Sequence, residues 1–317
     1  MKRSYLVAAL FAVFTLNSNL QAELITFGSG TNTFGIDFLN IGNAGNAADT
    51  TTYGAVPYAY RVGKYEISQD AIDKATASGM TNVTAAPWTG NQPAATISWY
   101  EAAAFVNFLN TNSGKTAAYD LAWDGSAWSM NLWSSEQAWT AGGTNLYRNK
   151  DAFYFLPSEN EWYKAAYYNA AGTNYFLYPT GSDTAPAPVA SGTDAGSAVY
   201  DGTASVPAIV DSAGGLSPYG TMGQGGNVFE WNESAFDGSN SSSSGARAVR
   251  GGFWFAAEQF LRSSTRVDNV PEVEVFYIGF RVASVDTAPI PEPGTWAAMA
   301  IFAGGAAYAG WRRRRRA

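Results

Sequence analysis

The sequence predicts an α+β domain with few short strands and two or three helices. Three observations lead there. Two Ser-x-x-Glu capping boxes, Ser98 to Glu101 and Ser158 to Glu161, each open a run with helical apolar spacing. Apolar and polar residues alternate only in short runs, chiefly Tyr60 to Ile67 and Tyr277 to Val282. The rest is dominated by Gly, Ala, Pro, Ser and Asp without a period, the composition of irregular connections.

Each element follows in order. Lys2 and Arg3, the apolar stretch Leu6 to Leu16, and Leu20-Gln21-Ala22 make residues 1–22 a secretory signal peptide, with the mature chain starting near Glu23. Residues 23–57 read as the N-terminal strand and loop region of a domain whose main body spans 58–285. Ser68 is placed to cap a short helix through about Ala77, stopped by Gly79. The Ser98 box starts a helix with Ala104, Phe105, Phe108 and Leu109 on one stripe, ended by Asn112 to Gly114. Tyr119 to Trp139 is Trp-rich and strand-like. The Ser158 box, preceded by Pro157, starts a third helix through Trp162, Ala165, Ala166 and Asn169 toward Gly172. In these boxes the Ser side chain accepts from the Glu N–H and the Glu reaches back, so Glu101 and Glu161 read as caps rather than catalytic acids. Tyr178 to Gly215 is a long irregular segment, in which Asp183, Asp194, Asp201 and Asp211 offer oxygen ligands but would more commonly be solvated. Asp237 to Gly245 reads as a flexible Ser-rich surface loop, and Arg250-Gly251-Gly252-Phe253-Trp254 as a close-packed turn.

Composition excludes several chemistries. The 317 residues contain no Cys and no His, so there is no thiolate, disulfide, imidazole ligand or Ser-His-Asp triad. Copper, haem and nucleotide cofactors are not expected. Of 19 basic residues, Lys2, Arg3 and Arg312 to Arg316 lie at the two ends, so the middle is more acidic than the net charge of −7. That disfavours nucleic acid and makes a divalent cation the more plausible partner. Eleven Trp, 18 Tyr and 18 Phe serve mostly as core, and in exported proteins also as sugar-stacking platforms.

At the C-terminus, residues 286–317 form a linker and a segment of distinct pattern. Pro291-Glu292-Pro293-Gly294 is followed by the apolar span 295–311 and then by Arg312, Arg313, Arg314, Arg315 and Arg316. The span has the minimum length for a membrane helix, and the arginines would hold its end in the cytoplasm. The arrangement resembles the PEP-CTERM sorting signal of exopolysaccharide-producing bacteria. That resemblance implies an exosortase-type membrane protease as partner, transient anchoring, and a mature form at the surface or outside the cell.

A second resemblance covers about residues 58 to 285. Its motifs run in order: Tyr65-Glu66-Ile67-Ser68; Pro93 with Ser98-Trp99-Tyr100-Glu101-Ala102; Phe155-Leu156-Pro157-Ser158-Glu159-Asn160-Glu161-Trp162; Gly225-Gly226-Asn227-Val228-Phe229-Glu230-Trp231; Arg250 to Trp254; and Gly279-Phe280-Arg281. Together they resemble the formylglycine-generating enzyme, or sulfatase-modifying factor, family. The resemblance implies an irregular C-type-lectin-like fold and structural calcium, held by Glu230 and the carbonyls of Gly226 and Val228, with Asn227 in the same turn. It departs from the family at Gly223, where many relatives carry Asp or Asn. Trp231, Arg250, Gly251, Gly252, Trp254 and Arg281 are expected to be structural, Arg281 pairing with a buried carboxylate.

The family's oxidase uses two cysteines shortly after the Gly-Gly turn. Here that stretch reads Phe255-Ala256-Ala257-Glu258-Gln259-Phe260-Leu261-Arg262, so formylglycine-generating activity is not expected. The expectation is a non-catalytic surface or matrix module that binds glycan, exopolysaccharide or protein. The alternatives are a cysteine-independent enzyme using Glu230 or Glu258, and a structural matrix protein.

Overall fold

The computed structural model describes residues 22–286. Residues 1–21 of the expected signal peptide and the sorting residues Pro291 to Arg316 lie outside the described residues. Two larger sheets, four two-stranded ribbons and three α-helices organise the described residues.

The larger sheet has five antiparallel strands in the order Glu23–Ser29, Asn32–Ile41, Tyr60–Gly63, Ala283–Val285, Tyr154–Phe155. The smaller has four, in the order Val267–Asn269, Arg247–Arg250, Phe229–Ala235, Ile278–Gly279, and only its last pair is parallel. Two sequence readings change here. The expected strand from Tyr60 to Ile67 stops at Gly63, where the chain bends toward the first helix. The expected strand from Tyr277 to Val282 is split into Ile278–Gly279 and Ala283–Val285, one in each sheet. The crossing point, Phe280 to Val282, is wholly buried because it joins the two layers.

Helix α1 (Gln69–Ala77) is capped by the Ser68 side chain on the Ala71 N–H. Helix α2 (Trp99–Asn112) carries a complete capping box, with Ser98 and Glu101 bonded reciprocally. Its buried surface exceeds one stripe: Trp99, Tyr100, residues 102–106 and Leu109 are all buried, because α2 lies inside the main core. Helix α3 (Glu159–Tyr167) has the Ser158–Glu161 box and ends before the expected Gly172, at Tyr168 in extended backbone.

Buried tryptophans bind as well as fill space, since an indole N–H needs a partner once dehydrated. Trp231 donates to Ile97 O at 2.9 Å and Trp99 to Asn232 O at 2.9 Å, so α2 and the Phe229–Ala235 strand are tied reciprocally. The Ser-rich loop, expected to be flexible, is pinned by its carbonyls. Ser242 O accepts from Tyr147 and Ser243 O from Tyr100 and Arg247. Arg247 itself is stacked on Trp99 and Tyr147 at 4.5 and 4.1 Å.

Candidate functional site

The motif residues converge on the junction between the two sheets, where they form a closed network. Glu230 is the second residue of an interior strand of the smaller sheet, Phe229–Ala235, and is fully buried. Its Oε1 accepts from Arg281 at 2.6 Å, and its Oε2 from Arg281 at 2.6 Å and Trp162 Nε1 at 2.7 Å. Arg281 spends its remaining N–H groups on the carbonyls of Gly63, Lys64 and Met222. Beside it, Glu66 accepts from Asn227 Nδ2 at 2.7 Å and the Val228 N–H at 3.3 Å. Burial, and then the Glu230 charge, push the Glu66 carboxyl well above the usual range, against the pull of Arg281.

The turn leading into Glu230 is shaped by close approach. A side chain at Gly226 (φ +91°) would put its Cβ 2.1 Å from Val199 O. Asn227 adopts φ +59° and accepts the Ala208 N–H at 2.8 Å through Oδ1. Gly251 and Gly252 both have positive φ, and a Cβ on Gly252 would meet Leu261 at 2.9 Å. Arg250 binds Glu159 at 2.7 Å, and Trp254 packs with Val199, Ala208 and Val228.

The implied calcium is tested by these partners. Both Glu230 oxygens already face a guanidinium, and both polar atoms of the Asn227 side chain are engaged. At Gly223 (φ +80°) an added Cβ would sit 2.8 Å from Glu66 Oε2, so an Asp or Asn there would require the Glu66 side chain to move. The Glu230 and Asn227 side chains are thus already engaged by protein groups where the implied ligand set needs them free. Among the described residues no three carboxylates gather at one point, the aspartates of the long segment included.

The stretch that carries the family's thiols is aromatic here. Phe255 and Phe276 are 46 % and 44 % exposed and stack at 6.2 Å over Trp254 and Tyr277. Glu258 lies nearby at the surface, bound to Arg262 at 2.9 Å. Glu230 and Glu258 thus have separate surroundings: one is sealed against Arg281, the other is paired in solvent.

An open recess lies on the far side of α3. It is a cleft of about 410 Å³ between α3, the Tyr53–Tyr58 loop, the 139–145 turn and the 234–240 loop. Tyr53, Tyr58, Trp139 and Phe236 supply its aromatic walls. Asn145, Asn160, Asp237, Asn240 and Arg266 supply its polar groups. Its floor is Arg148, which bridges Glu161 at 2.8 Å and Glu233 at 2.7 Å. Burial works against the Glu161 charge, but Arg148, Ser158 and Tyr58 hold its carboxyl below the usual range. Burial raises Glu233 despite Arg148. Burial, and then Glu161, raise the Tyr58 hydroxyl, which donates to Glu161 at 2.8 Å. At the rim, Arg266 makes a two-point pair with Glu159 (2.8 and 2.7 Å) and lies 3.7 Å from the Phe236 ring centroid. Sequence reasoning singled out none of Arg148, Glu233, Arg266, Tyr53 or Tyr58. Glu161 was visible only as a cap, and its second role depends on partners far away in the chain.

Two layered sheets around buried ion pairs, joined by glycine turns and long irregular loops, define a C-type-lectin-like α+β domain of the sulfatase-modifying type. The chain belongs to the Sulfatase-modifying factor enzyme 1-like domain family, which matches residues 31–285. Residues 289–315 match the PEP-CTERM protein-sorting motif, which implies export, handling by an exosortase-type system and C-terminal anchoring. No curated protein matches the chain by sequence. Among solved structures, Treponema denticola variable protein 1 is similar at 21 % identity and TM-score 0.57, over 84 % of this chain and 99 % of that one. CarF is similar at 20 % and 0.55, over 84 % and 99 %. PvdO from Pseudomonas aeruginosa is similar at 17 % and 0.51, over 83 % and 98 %. At these identities the likeness establishes the fold.

Proposed function

We propose that this protein is an exported, non-catalytic binding module that takes sugar units of a glycan or exopolysaccharide into the cleft beside α3. The supporting observation is the cleft's composition. Aromatic faces suit the apolar side of a pyranose, and the amides, Asp237 and Arg266 surround them with donors and acceptors for hydroxyls. The volume is within the usual range for small-ligand sites. A cysteine-free enzyme has less support, because a carboxylate mechanism needs acids facing one another across a cleft. Glu230 is spent on Arg281 and Glu258 on Arg262.

The test is a glycan and exopolysaccharide array probed with residues 23–290, alongside Trp139→Ala and Tyr53→Ala. Specific binding lost in either variant, with an unchanged circular dichroism spectrum, is expected. A folded wild-type protein that retains no glycan would sink the reading and leave the structural matrix role. Binding that survives both substitutions would place the glycan elsewhere on the molecule.

A further inference from the structure

We infer that the guanidinium of Arg281 is the resident cation of the Met222–Trp231 turn, and that this turn holds without a divalent metal. The surroundings of Arg281 are those of a hard cation. Two carboxylate oxygens of Glu230 and the carbonyls of Gly63, Lys64 and Met222 converge on it between 2.6 and 3.2 Å. These five contacts use all five guanidinium N–H groups. A metal ion has no bonding directions of its own and would draw the same oxygens inward. Arginine does so with a fixed planar fork.

Glu66 completes the substitution from the other side. Its carboxyl group occupies the volume that a side chain at residue 223 would enter, and it bonds Asn227 and the Val228 N–H instead. Glycine at 223 thus leaves room for Glu66 as well as removing a ligand. A metal bound through Glu230 would lie against the positive charge of Arg281.

The experiment uses the folded exported chain, residues 23–290. Its thermal midpoint is measured in saturating calcium and in chelator, and terbium luminescence is excited through tryptophan. Any ion that binds only the folded state must raise the midpoint. Trp162 is the local antenna, because its indole nitrogen is 2.7 Å from Glu230. The expected result is the same midpoint in both solutions and no Trp162-dependent emission. A calcium response without such emission reports binding elsewhere and leaves the inference standing. Emission displaced by calcium and abolished in Trp162→Phe would overturn it.

A second measurement addresses Glu66. Gly223→Ala is expected to lower the midpoint, and to lower it less in a Glu66→Ala background, because the clash is gone. The cycle removes the backbone strain common to both backgrounds. An equal drop in both backgrounds would overturn the role given to Glu66.

Discussion

Arg281 and Arg148 are both fully buried, and each binds carboxylate at ion-pair distance, yet they occupy opposite kinds of place. Arg281 is enclosed by main-chain carbonyls from two remote segments, Gly63–Lys64 and Met222, and its ionic partner Glu230 is fully buried. Arg148 is held by two side chains and forms the floor of an open cleft. The first arrangement is a staple. The second supports a surface whose outer residues remain free to meet a ligand. Buried charge alone therefore does not mark a functional site in this fold; what lies above it does.

Breaking the staple should cost the most. Arg281→Met leaves Glu230 dehydrated and unpaired, and about 3–5 kcal/mol of stability should disappear in urea unfolding. A loss below 1 kcal/mol would mean that Glu230 finds other donors. Arg148→Met should come next, near the lower end of the same range. Glu161 keeps its Ser158 and Tyr58 donors, and Glu233 keeps those of Tyr119 and Asn145.

At the cleft the contrast sharpens. Trp139→Ala should weaken glycan affinity by about ten-fold or more, as truncating a central aromatic contact does. Its effect on stability should stay well below that of either arginine variant. Equal damage to both properties would make Trp139 part of the core.

Lys164 tests the edge of the same helix. Burial lowers its ammonium to about pKa 8, while its Nζ donates to Asn43 O at 2.9 Å. Its folded value lies below the unfolded value of about 10.4. Between those values the unfolded chain binds more protons, so stability should rise with pH from about 8 toward 10. Lys164→Met should abolish that rise, as followed by urea midpoints across the window. The smallest effect belongs to the aromatic ledge. Phe276→Ser should change stability by less than about 0.5 kcal/mol, because nearly half of that side chain is already in water.

These contrasts separate what was legible in the sequence from what was not. Capping boxes are local, so the starts of α2 and α3 could be read from four residues each. The broken last strand could not be, because alternation is blind to a change of sheet at Phe280. Arg281 was expected to pair with a carboxylate, and the structure supplies the partner, Glu230, 51 residues away. Glu66 could be seen only as part of a strand-like motif, since its partner Asn227 is 161 residues distant. The cleft was illegible for the same reason: Tyr53, Trp139, Asn160 and Phe236 come from four segments that share no pattern.

The place of Ala283–Val285 has a mechanical consequence. This last strand is clamped between Tyr60–Gly63 and Tyr154–Phe155, one position in from the sheet's edge. The sorting tail begins a few residues beyond it. Tension on an anchored tail would therefore enter the fold through an interior strand, and two hydrogen-bonded ladders would share the load.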